Sequence, residues 1–246
     1  MTVTAHDPSP TPPNGTPAAP FGYDDLPALT ARMTGADKHT PSSDSLTDAL
    51  WVLYDQVLRV DPARPDAEDR DRFLLSRGHG PMSYYAVLAA KGFIDPGVLD
   101  GFGTFDSPLG HHPDRTLVPG VEISSGSLGH GLPLGVGTAL GLRARGLHAP
   151  RVWVMVGDAE LDEGSNHEAL EFAGAYGLDS LHLVVVDNAS TTWGDSRSRA
   201  ERIAAAGWSL AEADGRDHAD LRRACALPHP GRPHAVVARV EPKHPR

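Results

Sequence analysis

The sequence predicts an α/β fold: a doubly wound, mostly parallel sheet flanked by helices. Two apolar runs, at 153–156 and 181–186, lie on either side of a helical segment, and strand–helix–strand units of that length pair their strands in parallel. The short run RFLLS at 72–76 is typical of a buried strand, and a further strand is predicted at 235–240. With 246 residues the chain can bury a sizeable core, and we expect one domain over 23–246.

The composition excludes several classes of protein. A formal net charge of -10 argues against nucleic-acid binding, which normally requires a basic surface. No apolar run approaches the roughly 20 residues that cross a bilayer, so we expect no membrane attachment. The single cysteine, Cys225, excludes an internal disulfide and favours a cytoplasmic location. Residues 1–22 are rich in Pro and Thr, which predicts a disordered tail.

Helical periodicity is clearest between Ser45 and Leu58, with Ser43 or Asp44 available as the N-cap. Between the two apolar runs, Ser165 and Glu168 form an S-x-x-E pattern that predicts a capping box. Further helices are predicted at 23–33, 83–91 and 217–225.

The segment SSGSLGHG at 124–131 predicts a glycine-rich loop, followed by a helix to about Arg145. Gly131, Gly135 and Ala139 lie one turn apart on that helix, so another backbone could approach closely. Close packing explains these small residues but not the loop before them. Backbone N–H groups of such a loop can bind phosphate, although the sequence contains no Walker motif and poorly supports a Rossmann fingerprint.

Oxygen-bearing side chains follow two of the predicted strands. Asp158 comes directly after the first strand of the unit, and Asn188 follows the second. Ligands of open parallel sheets bind outside the carboxyl ends of the strands, where both residues are expected to lie. Carboxylate and amide oxygens suit Mg²⁺ or Ca²⁺. Taken singly, Asp158 is equally well explained as a helix cap and Asn188 as a turn former; together they favour a cation site that holds a diphosphate.

Five collinear motifs carry a resemblance to a known family. Gly157-Asp158-Ala159, followed by a helix and Asp187-Asn188, resembles the thiamine diphosphate signature. The segments DRDRFLLSRGHG and PGVEISSGSLGHG, with LYDQVLRVDP and GWSLAEADGRD, resemble the transketolase family. The resemblance extends from about residue 26 to 240 and implies the diphosphate-binding domain of the thiamine diphosphate-binding fold.

The resemblance also implies roles for particular residues. Side chains of Asp158 and Asn188, with the backbone carbonyl of Ser190, would bind Mg²⁺ or Ca²⁺. Glu163 would brace the site, unless it is only a solvated loop charge. The remaining contacts to thiamine diphosphate would come from Gly126, Leu128, Gly157 and Ala159.

Three histidines match family positions that face the reacting carbon: His39, His79 and His112. They would contact substrate oxygens and move protons, which suits a group that titrates near neutrality, and His79 would also contact the diphosphate. His111 competes with His112 for the third position. Arg77 stands where the family usually has Asn or Lys, and could add a phosphate contact.

The family's pyrimidine-binding domain has no counterpart in this sequence. The resemblance therefore implies a separate pyrimidine-binding subunit, in a heterotetramer of two copies of each chain. The assembled enzyme would transfer a two-carbon ketol unit from a ketose donor to an aldehyde acceptor. The alternatives are another carboligase or a 2-oxoacid-processing enzyme on the same cofactor, with a place in natural-product biosynthesis, a non-catalytic cofactor-binding protein, and a Mg²⁺-dependent phosphohydrolase using Asp158 and Glu160.

Overall fold

The sheet has the predicted architecture. The computed structural model describes residues 21–34, 40–77, 79–191 and 196–242, so the predicted tail at 1–22 falls almost wholly outside it. Five strands have the order β1-β2-β3-β5-β4, and all neighbours are parallel. The strands are β1 Arg72–Ser76, β2 Val152–Gly157, β3 Leu181–Asp187, β4 Ser209–Asp214 and β5 His234–Arg239.

Helices cover both faces of the sheet, as expected for a doubly wound fold. The described α-helices are α1 Leu26–Arg32, α2 Thr40–Val52, α3 Pro81–Ala90, α4 Gly131–Ala144, α5 Gly164–Ala175, α6 Ser196–Ala205 and α7 His218–Cys225. One apolar core lies between the sheet and α4, α5 and α6, and the other between the sheet and α1, α2, α3 and α7. Strands buried on both faces are mostly apolar, which explains the apolar runs in β2 and β3. None of the described helices is both long and apolar enough to cross a membrane.

The helix predicted at 45–58 begins earlier than expected, and its last turn is not α-helical. Because α2 starts at Thr40, neither Ser43 nor Asp44 is its N-cap, and the Ser43 hydroxyl hydrogen-bonds to α3 instead. The last turn, Leu53–Val57, is a π-helical turn. The apolar periodicity located the helix but could not reveal this wider turn.

The predicted capping box does not form. Glu163 occupies the N-cap position of α5 and makes no side-chain cap hydrogen bond. The Ser165 hydroxyl donates instead to the Gly129 carbonyl, at 2.6 Å. The serine therefore ties α5 to the glycine-rich loop.

The small residues of α4 allow the close approach that their spacing predicts. A Cβ added to Gly131 would lie 2.0 Å from the Ser76 Cβ, and one added to Gly135 would lie 2.5 Å from Val154 Cγ2. Any larger side chain would push α4 away from β1 and β2. The glycines thus hold the start of α4 against the carboxyl end of β1.

Two elements were not predicted, α6 and β4. The α6 sequence SRSRAERIAA contains few apolar residues. Strand β4 is an edge strand that buries only Ala211 and Ala213 on alternate positions, between acidic residues. Alanine and acidic residues favour strands weakly, so tertiary packing decides this element.

Candidate functional site

Three parallel strands end side by side at the carboxyl edge of the sheet. Strand β1 delivers Arg77, β2 ends at Gly157 and delivers Asp158, and β3 delivers Asn188. The register pairs Gly157 with Val186, so the residues that follow β2 and β3 come out level. The sequence expectation that Asp158 and Asn188 share one edge is therefore met.

The two residues are in direct contact. With its amide oriented to satisfy its neighbours, Asn188 donates from Nδ2 to Asp158 Oδ1 at 3.1 Å, and its Oδ1 accepts from Arg77 Nη2 at 3.3 Å. Ser190 donates from its backbone N–H to Asp158 Oδ2 at 2.7 Å and from its hydroxyl to Asp158 Oδ1 at 2.6 Å. Asp158 and Asn188 are almost completely buried. This cluster turns the amide and hydroxyl of Ser190 towards Asp158; the role of its carbonyl stays a prediction.

A strained backbone brings these groups together. Ala189, between Asn188 and Ser190, has a φ of 51° and is the one non-glycine residue with positive φ in the described ranges. Non-glycine residues rarely adopt this left-handed conformation, and such strain is concentrated at functional sites. The reversal lets residues on both sides of Ala189 reach the same carboxylate.

The oxygen donors suit a hard cation. No cluster of three or more His, Cys, Asp or Glu side chains in the described part of the chain is arranged to hold a metal. Metal binding here would instead rely on one carboxylate with amide, carbonyl and phosphate oxygens, a set typical of Mg²⁺. Half a turn of the Asn188 amide would place its Oδ1 beside Asp158, as a ligand requires. The residues present therefore fit such an ion.

The glycine-rich loop closes one side of this edge. Gly126 has a φ of 120°, and a Cβ there would lie 2.8 Å from the His112 ring. Gly129 has a φ of 80° and lies against Glu163, whose Cβ would be 2.7 Å from an added Cβ. Leu128 is partly exposed on the loop surface. The loop thus contacts His112 through Gly126 and Glu163 through Gly129.

A buried carboxylate that sequence reasoning gave only a minor role holds this loop. Glu160 Oε1 accepts from the Ser76 hydroxyl at 2.5 Å and from the Gly129 N–H at 3.0 Å. Burial raises the pKa of Glu160 to about 7. Its Oε2 is buried with no hydrogen-bond partner among the described residues. The acidic run after Asp158 was the available signal, but nothing in it distinguishes a buried glutamate from exposed ones.

Histidines line a cavity of about 200 Å³ beside the loop. His79, His111 and His112 meet there with Ser43 and Met82.

His111 and His112 have different surroundings within this cavity. His112 covers Gly126, whereas the His111 ring stacks edge-on against Phe102 at 5.3 Å. The contact with the glycine-rich loop favours His112 over its competitor. His39 lies outside the described residues.

Two arginines face the acidic cluster. The buried Arg199, from α6, lies 3.8 Å from Asp158 Oδ2 and 3.7 Å from Asp187 Oδ1. Arg77 lies against Gly157, where an added Cβ would be 3.3 Å from its Nε. Burial lowers the pKa of the Arg77 guanidinium, while the charges of Asp158 and Glu160 oppose this effect. Neither arginine could be placed at the site from periodicity alone. Ala159 is exposed, at the start of a 3-10 turn.

The chain resembles known proteins over most of its length. The family model described as "Transketolase, thiamine diphosphate binding domain" matches residues 34–239. The chain is 36% identical over 191 residues to one subunit of the apulose-4-phosphate transketolase of Phocaeicola vulgatus, covering 75% of this chain and 67% of that protein. It is 55% identical over 220 residues to a Rhodococcoides fascians protein named ferredoxin fas2, covering 89% of this chain and 72% of that protein.

Solved structures show the same fold. Transketolase from Leishmania mexicana superposes with a TM-score of 0.72 at 25% identity, covering 89% of this chain. This chain covers only 36% of that structure. It likewise spans 31% of the transketolase of Rhodobacter capsulatus, with which it shares 33% identity over 212 residues.

Proposed function

Since this chain belongs to the transketolase family, we propose that it is the diphosphate-binding subunit of a two-chain transferase. The enzyme would move a two-carbon ketol unit from a ketose to an aldehyde, using thiamine diphosphate and Mg²⁺. The observation that carries the proposal is the contact between the buried Asp158 and Asn188 side chains at the carboxyl edge of the sheet. A phosphohydrolase that uses Glu160 is less well supported, because hydrogen bonds from Ser76 and Gly129 hold that carboxylate to the loop.

The proposed ligand set is the one that the family resemblance implies. Asp158, Asn188 and the Ser190 carbonyl would hold the Mg²⁺, and phosphate oxygens and water would supply its other ligands. Gly157 and Ala159 would lie against the diphosphate. Gly126 and Leu128 would line the cofactor from the other side, with Glu163 bracing that loop as a neighbouring carboxylate.

Bound thiamine supplies the electron sink of the reaction. The protein positions the reacting groups, shields them from water and transfers protons. His79 and His112 would hydrogen-bond hydroxyl groups of the sugar and accept or return their protons. His79 would also contact the diphosphate, since it follows β1 at the same edge. His39 keeps the same proposed role, on the resemblance alone.

A second chain is proposed to complete the active site. This chain spans about a third of full-length transketolases, and two of its relatives are themselves named as single subunits of a transketolase. We propose that a separate pyrimidine-binding subunit contributes the rest, in a heterotetramer of two copies of each chain. Leu134 on α4 and the stacked Phe172 and Tyr176 on α5 are exposed apolar groups that support such contacts.

The name of the relative from Rhodococcoides fascians does not transfer to these residues. Iron–sulfur clusters of ferredoxins are held by several cysteine thiolates. This chain contains one cysteine, Cys225, which is buried in the core. Electron transfer through such a cluster is therefore not part of the proposed function, whereas a cytoplasmic location and a place in natural-product biosynthesis stay predictions.

Calorimetry can test the proposal directly. The full chain, alone and together with a pyrimidine-binding transketolase subunit encoded beside it, would be titrated with thiamine diphosphate in the presence of Mg²⁺. We expect binding by the pair and consumption of a ketose when an aldehyde is supplied. A pair that binds no cofactor would refute the function. A pair that binds but converts neither ketose nor 2-oxoacid would favour a non-catalytic role. Substitution of His79 by Ala should lower turnover without lowering stability.

A further inference from the structure

The proposed ligand set assigns no role to Arg77, which the resemblance connects with a phosphate contact. The residue follows β1 at the carboxyl edge, in contact with Gly157 and Asn188. Its guanidinium Nη1 is buried and has no hydrogen-bond partner among the described residues. Buried polar atoms in native proteins nearly always have a partner, so an unpaired nitrogen of a charged group points to an acceptor that comes from outside the chain.

The surrounding charges indicate what kind of acceptor this is. A diphosphate ester carries more negative charge than one divalent cation neutralises, and Asp158 adds a further negative charge beside it. The described cations facing this edge are Arg77 and Arg199, and Arg199 already lies between Asp158 and Asp187. Arg77 is the cation left to balance an anion at the strand ends.

Asn188 links Arg77 to metal binding. In the orientation that satisfies its neighbours, Asn188 offers its amide oxygen to Arg77 Nη2. A cation at Asp158 would draw that oxygen away, because a metal ligand must present oxygen rather than the amide NH₂. Arg77 would then have two unpaired nitrogens in its planar fork, a geometry that matches two phosphate oxygens.

We propose that Arg77 is a diphosphate-binding residue of this chain, which contacts phosphate oxygens through Nη1 and Nη2. The inference rests on the proposed function, because it needs a diphosphate at the carboxyl edge. It goes beyond the metal cluster, since it assigns a direct protein cation to the anion. Lysine at this position would supply a point charge without the fork.

The test measures anion affinity rather than turnover. The full chain and its variants would be titrated with pyrophosphate in the presence of Mg²⁺, and their unfolding followed by circular dichroism. Arg77→Met should weaken pyrophosphate binding by about ten- to hundredfold, the range for a hydrogen bond to a charged group. Arg77→Lys should recover part of the loss. Arg72→Met, at the opposite end of β1, is the matched control and should bind as the wild type does.

Each outcome separates the inference from the function on which it rests. Wild-type protein that binds no pyrophosphate would overturn the role of Arg77 in this chain, whereas the function on which it rests is decided by cofactor binding to the pair. Wild-type binding with Arg77→Met and Arg77→Lys within about twofold of it would overturn the role of Arg77 alone. If Arg77→Met lowers stability while pyrophosphate affinity is kept, Arg77 is structural and the proposal is wrong. If Arg77→Met does not fold, the Arg77→Lys titration decides by the same criterion, with a loss of at least about threefold expected.

Discussion

The two edges of the sheet each bury an aspartate, and they surround it differently. At the amino edge, Asp71 accepts hydrogen bonds from the backbone and side chains of both Arg59 and Arg151, at 2.6–3.4 Å. At the carboxyl edge, Asp158 is bonded mainly by neutral groups, and atoms of Arg77 and Glu160 that lack a hydrogen-bond partner among the described residues lie near it. A buried charge with complete partners contributes to folding. Incomplete pairing at the other edge is what a ligand can satisfy.

Asp158→Ala should have the largest effect, and on ligand binding. The substitution removes the proposed anionic metal ligand. Mutation of a residue that only orients such a ligand lowers affinity by about 10- to 100-fold, so loss of the ligand itself should lower affinity for thiamine diphosphate with Mg²⁺ by more than about a hundredfold. Calorimetric titration measures this loss. The unfolding free energy should change less than it does for a substitution of Asp71, because the Asp158 carboxylate lies near other acidic groups. If Asp158→Ala kept its affinity for the cofactor, the carboxyl edge would not differ from the amino edge as a ligand site.

Asp71→Asn should show the opposite pattern. Breaking a buried ion pair costs about 3–5 kcal/mol, and we expect about 3 kcal/mol here because the arginines are partly exposed. Urea unfolding measures the loss, and cofactor affinity should stay unchanged. Burial acts to raise the pKa of Asp71, but hydrogen bonds from Arg59 and Arg151 together hold it below its usual value. The contribution of Asp71 is therefore present above about pH 4 and lost as pH falls further.

A matched control for this variant lies two residues earlier in the chain. Asp69 pairs with Arg64 on the surface, so Asp69→Asn should change unfolding free energy by less than about 0.5 kcal/mol. If both variants lowered the unfolding free energy by the same amount, burial of Asp71 would make no additional contribution to stability.

Histidines at the amino edge should make stability depend on pH. His182 stacks on Trp153 at 4.0 Å, beside His229 and His234. Burial, together with positive charge from His229, Arg151, His234 and Arg59, lowers the pKa of His182 well below its usual value. The unfolded chain takes up a proton near pH 6.5 that the folded chain resists. The contribution of His182 should therefore lower stability below about pH 6.5 and leave it unchanged above that pH.

The carboxyl edge works in the opposite direction, which sharpens the measurement. Because the pKa of Glu160 is raised to about 7, protonation of this residue stabilises the folded chain as pH falls. The contribution of His182 is thus read as the difference between wild type and His182→Gln in urea unfolding at pH 7.5 and 5.5. We expect the variant to lose roughly 1 kcal/mol less than wild type between these values. Equal losses would place His182 outside this effect.

The smallest effect is expected where α5 meets the glycine-rich loop. Ser165→Ala should lower unfolding free energy by about 1 kcal/mol, because it removes the hydrogen bond to Gly129. Glu168→Gln should be neutral, since no capping box forms. Thermal unfolding of both variants tests this. If Glu168→Gln lowered the unfolding free energy as much as Ser165→Ala, the result would indicate a capping box. It would contradict the interpretation that Ser165 acts by joining α5 to the loop.

How far the sequence predicted the site depends on the kind of residue. Asp158 and Asn188 were found because each directly follows a continuous apolar strand, and parallel strands must end at one edge. Glu160 was not distinguished from its acidic neighbours, since only the positions of Ser76 and Gly129 bury it.

The amino-acid sequence by itself determined the parallel α/β fold, the strand ends that carry oxygen ligands and the glycines that bring α4 close to the sheet. These follow from local periodicity and from backbone geometry, which neighbouring residues encode. Packing alone decided which acids are buried, that Ser165 ties a loop rather than capping a helix, and that Arg77 keeps an unpaired nitrogen. Burial and pairing depend on residues distant in the chain, such as β1 beside β2, and no local pattern specifies them.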